Sequence, residues 1–320
     1  GDGVSCAIID QANLITHEEY AENVLHYEEI NISMNNDIAC MHGPAVTSIA
    51  IGKNCGVAPH ANLYYFARPT GDLSSSIIAI DKILELNKQL SDDKKIRFIS
   101  MSLGYMPSDL EFISAIQRAE KSGVMMVTAN DVERLGICYK SLGQKDDPTS
   151  YKFFNGIVDY NHSELANKFK TATIYAPSDL RTYASFTGDT TYENTATGGR
   201  SWSVPFYSAV YALACQYSSS MTPNLFRILT EKLGIPIEVK IDDYNFIATK
   251  AKIINPVDIM CAINPSLKAE LDEKTRNNFL NPKPVIFELP ESITPEYRNF
   301  IKEENKNSSI KRPEIPSHKF

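Results

Sequence analysis

Four short apolar runs, residues 4–9, 62–67, 96–103 and 124–129, are too unbroken for half-exposed strands and too short for buried helices. Helical spacing fills the gaps between them. Residues 44–50 are small and apolar and suit a helix packed closely on a sheet. Residues 74–90 carry Ile77, Ile78, Ile80, Ile83, Leu84 and Leu86 at near-helical intervals and open with serines able to cap the helix. Residues 108–121 form a second amphipathic segment, stopped by Gly123. Strands alternating with helices of this length imply an α/β fold of three layers, a parallel sheet with helices on both faces. In such sheets functional residues gather beyond the carboxyl ends of the strands.

Chemistry-bearing residues stand at those ends. Asp10 closes the first run, Ser102-Leu103-Gly104 the third, and Asn130 follows the fourth directly after Ala129. Residues 131–150 read as a polar surface loop, and residues 156–160 and 173–176 as short strands. A mostly apolar helix is expected over 201–217, and Thr222-Pro223 opens a further one through Leu233. Beyond Asn264 the chain becomes rich in proline and charge. The expected organisation is one main domain over residues 1–263 and an extension over 264–320 that wraps or trails.

A formal net charge of −7, with no long basic block, excludes a nucleic-acid footprint. No apolar stretch reaches the roughly 20 residues needed to span a bilayer, so no membrane partner is expected. Residues 1–10 lack the basic start and long apolar run of a secretory leader, as a processed chain also would. The six cysteines are scattered, without a Cys-x-x-Cys pair, and read as reduced thiols. That leans the expected compartment toward the cytoplasm over secretion.

A serine hydroxyl attacks a carbonyl only when an imidazole takes its proton, and that imidazole needs an anion to fix its tautomer. Of six histidines, His42 alone precedes a glycine at the head of a compact Ala/Val/Ser/Ile segment. His17, His26, His60, His162 and His318 lie in polar or turn-like surroundings and read as surface or structural. Ser201 stands at the expected amino end of a helix, where a hydroxyl is commonly just a cap. A helix amino terminus also offers free N–H groups to an oxyanion, and Asn130 could add a side-chain donor.

These residues together resemble the subtilisin-like serine proteases. Ala7-Ile8-Ile9-Asp10 resembles the family's aspartate strand and His42-Gly43 its histidine motif. Gly56-Val57-Ala58-Pro59 followed by Leu63-Tyr64-Tyr65 is similar to the turn and strand beyond. Ser100-Met101-Ser102-Leu103-Gly104 resembles the strand lining the peptide cleft, and Val127-Thr128-Ala129-Asn130 the one ending in the oxyanion asparagine. Ser201 falls on the nucleophile of the Gly-Thr-Ser-Met-Ala-x-Pro signature, with Gly199 and Pro205 in register. The matches run in order from about residue 4 to 262, with the Asp, His, Ser sequence of the family.

The resemblance implies a serine endopeptidase with Asp10, His42 and Ser201 as catalytic triad and Asn130 in the oxyanion hole. Its partner would be a peptide or protein substrate, lying as an added strand against Ser102, Leu103 and Gly104, with Ala129 and Asp131 near the pocket for the residue before the cut. The Asp131 carboxylate there would favour Lys or Arg. A propeptide or inhibitor is a further implied partner. The chemistry requires no cofactor. Structural calcium is common in the family, yet no compact run of alternating carboxylates marks a metal site.

Departures cluster around the same motifs. Gln11 and Ala12 follow the aspartate, Pro44 follows His-Gly, Thr128 precedes Ala129, and Arg200 and Trp202 flank the nucleophile. None removes a catalytic atom, and together they imply a reshaped cleft, as in a dedicated processing peptidase. Few residues precede Asp10, so a short amino-terminal segment is expected. An inactive subtilase fold serving as a binding or signalling module is the alternative, against which the joint retention of Asp10, His42, Asn130 and Ser201 argues. A non-proteolytic serine hydrolase lacks its Gly-x-Ser-x-Gly elbow around Ser201.

Overall fold

The apolar runs become the strands of one parallel sheet. A computed structural model describes residues 1–32, 40–129, 135–140, 154–158, 174–196, 198–240, 246–280, 282–288 and 299, with backbone alone for 135–140, 154–158, 246–249 and 287–288. Strands β1 (Ser5–Asp10), β2 (Val24–Glu29), β3 (Asn62–Ala67), β4 (Ile96–Met101) and β5 (Met125–Thr128) pair in the order β2-β3-β1-β4-β5, every pair parallel. β1 is therefore central, and Asp10 lies opposite Ala67 at its carboxyl end.

Successive side chains of each strand enter different cores, which is why the runs do not alternate in polarity. Cys6, Ile8, Leu63, Tyr65 and Phe98 face helices α1 (His42–Ile51) and α4 (Arg200–Tyr217). Ala7, Ile9, Phe66, Ile99 and Met126 face α2 (Leu73–Gln89) and α3 (Leu110–Lys121). Fully buried side chains such as Ile8, Ile9 and Phe98 each contribute about 1.5–3 kcal/mol by leaving water. The three-layer expectation is met by this arrangement.

Three local differences have physical causes. Asp72, and not a serine, caps α2: its charged Oδ1 accepts from the Ser74 and Ser75 N–H groups at 2.9 and 3.2 Å. β2 is an edge strand whose His26, Glu28 and Glu29 stay partly exposed, so no apolar run announces it. Past the first sheet the chain builds a mixed one, ordered β13-β11-β12-β8-β6-β7. Its strands are β6 (Leu135–Lys140), β7 (Phe154–Val158), β8 (Ile174–Pro177), β11 (Ile235–Lys240), β12 (Phe246–Ile253) and β13 (Val285–Glu288). β9 (Arg181–Ala184) and β10 (Tyr192–Thr195) form a separate antiparallel pair. Helices α5 (Pro223–Leu233), α6 (Pro256–Ile263), α7 (Leu267–Glu270) and α8 (Glu273–Phe279) complete the order. Among the described residues beyond 263 are the short helices α7 and α8 and strand β13, which pairs parallel with β11.

Glu19 ties its own turn to the 54–55 turn and to β10 beside α1. Buried to 1% exposure, it accepts from Asn54 N (2.9 Å), Asn54 Nδ2 (2.7 Å), Cys55 N (3.2 Å) and Tyr192 Oη (2.8 Å). Burial alone would raise its carboxyl, but the Asn54, Tyr192 and Cys55 donors outweigh it and hold it at about 2. Among the described residues no helix is long and apolar enough to cross a membrane, and no group of three or more His, Cys, Asp or Glu could hold a metal ion. Cys6, Cys40, Cys55, Cys215 and Cys261 form no disulfide.

A depressed carboxylate stabilises the fold fully above its unfolded value, about pH 4.3, and loses that contribution as pH falls toward its folded value. Urea midpoints measured from pH 6 to 2 should therefore drop more steeply in the wild type than in Glu19→Gln, with Glu19→Gln less stable at pH 6 by about 1.5–3 kcal/mol.

Candidate active site

The carboxyl end of β1 delivers Asp10 into the interior at 1% exposure. His42, the first residue of α1, meets it there, with Nδ1 and Asp10 Oδ1 2.6 Å apart. The same Oδ1 accepts the Gln11 N–H at 2.8 Å, while Oδ2 is buried with no protein hydrogen bond. A carboxylate on Nδ1 keeps the proton at that nitrogen and leaves Nε2 as the free base.

Glycine at 43 makes this approach geometrically feasible. A Cβ there would stand 2.7 Å from Ala12 O, 2.8 Å from Tyr65 Oη and 2.9 Å from Gln11 O. The turn after Asp10 is clamped to the helix from several sides. Tyr65 donates to Gln11 O, Cys40 N donates to Ala12 O (3.1 Å), and Asn13 Nδ2 donates to Thr47 Oγ1 (3.0 Å). Burial, reinforced by the nearby Asp10 charge, pushes the Tyr65 hydroxyl well above its usual value, so it remains a donor. Arg68, just beyond β3 and 4% exposed, donates its backbone N–H to Asp10 O at 2.8 Å. Burial lowers its guanidinium, and the Asp10 charge counters that.

Ser201 is the second residue of α4 and half-buried. It is not the cap: Gly199 holds that position in extended backbone, with no side-chain capping bond. Pro205, one turn on, lacks the N–H that would bond Ser201 O. The hydroxyl of Ser102 takes its place, donating to Ser201 O at 2.8 Å. The residue after β4 is thereby tied to the helix that carries Ser201. Among the described residues no hydrogen bond joins the Ser201 hydroxyl to His42, as is common for such pairs in the absence of substrate.

Leu103 and Gly104 follow Ser102, with Leu103 packed against the α2–α3 core and Gly104 exposed. Ala129 N donates to Leu103 O at 3.1 Å, so the ends of β4 and β5 stay together. Asn130 and Asp131 lie outside the described residues. Trp202 sets its indole beside the imidazole, with ring centroids 5.5 Å apart. His17 is buried between Thr191 O, 2.8 Å from its Nε2, and the Glu19 N–H, which donates to Nδ1; one nitrogen gives and the other accepts, a structural role. Sequence reasoning gave no part in the site to Tyr65, within β3, or to Arg68, just beyond it; what places them there is the pairing of β3 with β1.

No protein-family model matches the sequence, and no curated protein sequence does either. Solved structures do match. A cold adapted subtilisin-like serine proteinase shares 21% identity over 73% of this chain and 82% of its own, with a TM-score of 0.53. The prenylagaramide maturation protease PagA shares 15% over 82% and 95%, at 0.55. The PatG macrocyclase domain shares 14% over 83% and 93%, at 0.57. Sheet order, helical layers and these likenesses agree: the chain has the subtilisin-like fold.

Proposed function

We propose that the protein is a serine endopeptidase that hydrolyses peptide bonds with Asp10, His42 and Ser201. The observation that carries this reading is the 2.6 Å contact between His42 Nδ1 and a buried Asp10, made on a fold whose solved neighbours include proteinases. Ser201 Oγ attacks the scissile carbonyl while His42 Nε2 takes its proton. The tetrahedral oxyanion is held by the Ser201 N–H at the start of α4 and by the Asn130 amide. Collapse expels the amine, protonated by His42, and water repeats the cycle on the acyl-enzyme.

The substrate lies extended along Ser102, Leu103 and Gly104, bonding through its main chain, with Ala129 and Asp131 beside the residue before the cut. A carboxylate at 131 favours Lys or Arg there. Arg200 and Trp202, bulky residues on either side of Ser201, would reshape access to it, in keeping with a dedicated processing role. Two neighbours bear the names maturation protease and macrocyclase, in keeping with action on one precursor.

Cleavage of a proteome-derived peptide library, read by mass spectrometry, tests the reading. The wild type should cut, Ser201→Ala should lose on the order of 10⁶ in kcat, and Asn130→Ala about 10² to 10³, scales taken over from subtilisin itself. Equal cleavage by Ser201→Ala would discard it. Gly43→Ala should leave the circular dichroism unchanged yet cost about 10²-fold or more in kcat, because its Cβ forces α1, and His42 with it, away from the Asp10 turn. Full activity in that variant would show that the close approach is dispensable.

A further inference from the structure

We propose that Trp202 is a positioning residue that fixes the plane of the His42 imidazole and stabilises its protonated form during the reaction. This rests on the hydrolytic reading above. The two rings lie 5.5 Å apart, inclined at 34°, within the ~6 Å range over which an aromatic face attracts a cation.

The indole is itself held. It is 8% exposed and packs against Tyr183 at 5.5 Å, and a Cβ at Gly198 would stand 2.8 Å from Trp202 Cδ1. Asp10 grips the imidazole at one edge, so a second, immobile ring beside it restricts rotation about that hydrogen bond. As the Ser201 Oγ–carbon bond forms, the hydroxyl proton passes to His42 Nε2 and the imidazole becomes a cation; the proton later leaves with the amine. Attraction to the indole quadrupole grows with that charge, so the contact is stronger in the transition state than before it.

Among the described residues the other ionisable groups near His42 are Asp10 from β1, Tyr65 and Arg68 behind that carboxylate, Cys40 two residues upstream and Arg200 at the head of α4. All stay in place when residue 202 alone is changed. The indole's effect can therefore be read by difference.

Trp202 is the single tryptophan of the chain, so its emission reports this contact directly. Emission of the unmodified protein should respond to protonation of His42, and the response should vanish in His42→Gln. Replacement by Leu, which keeps bulk without a π face, should lower kcat by roughly 3- to 30-fold, with Phe intermediate. In the same order the acid limb of kcat/KM should move to lower pH, because the protonated ring has lost support. An active enzyme whose emission ignores His42, or whose Trp202→Leu and Trp202→Phe variants keep the wild-type kcat and limb, overturns the proposal alone. Emission that follows His42 in a protein without peptidase activity overturns the hydrolytic reading and the catalytic half of the proposal with it.

Discussion

A carboxylate driven to 1% exposure at the end of a central strand must be compensated, and the imidazole of His42 supplies that compensation at 2.6 Å. Much of the local architecture serves this contact. α1 has to begin at His42 and lie against the turn that leaves β1, which is why position 43 has no room for a side chain. Tyr65 from the neighbouring strand secures that turn through Gln11 O, and Arg68 secures the Asp10 carbonyl. Removing His42 would leave the buried Asp10 carboxylate with the Gln11 N–H as its remaining donor, so the pair constrains folding.

The second constraint joins Ser201 to the end of β4. Pro205 leaves the carbonyl of Ser201 without its helical donor, and Ser102 fills the deficit from the end of β4. The segment after β4 and the head of α4 are thus set relative to each other by one hydrogen bond, while Ala129 N to Leu103 O holds the two strand ends together. The parallel sheet makes this economical: every strand ends on the same side, so residues about ninety positions apart arrive at one place.

Much of this was legible in the sequence. Runs such as 4–9 and 124–129 are buried on both faces, and unbroken apolar character is what such burial selects. The nearness of Asp10 to His42 and the place of Ser201 at the head of a helix were legible from motif order. Features fixed by tertiary approach were not. Nothing local distinguishes Gly43 from a turn glycine until Ala12 and Tyr65 are beside it. β2 escaped notice because an edge strand keeps polar residues, and Asp72 because the neighbouring serines offered equally good caps. The second sheet pairs β8 with β12 across 78 positions, Ile174 opposite Lys252, which periodicity does not report. Asn130 and Asp131, legible as motif residues, lie outside the described part of the chain.

The most direct measurement of the central claim is the site of covalent capture by a fluorophosphonate, mapped by peptide sequencing in wild type and in His42→Ala. Stoichiometric phosphonylation of Ser201 that collapses without the imidazole is the predicted result. Absence of labelling in the folded wild type, or a label on another serine that is indifferent to His42, would contradict the account.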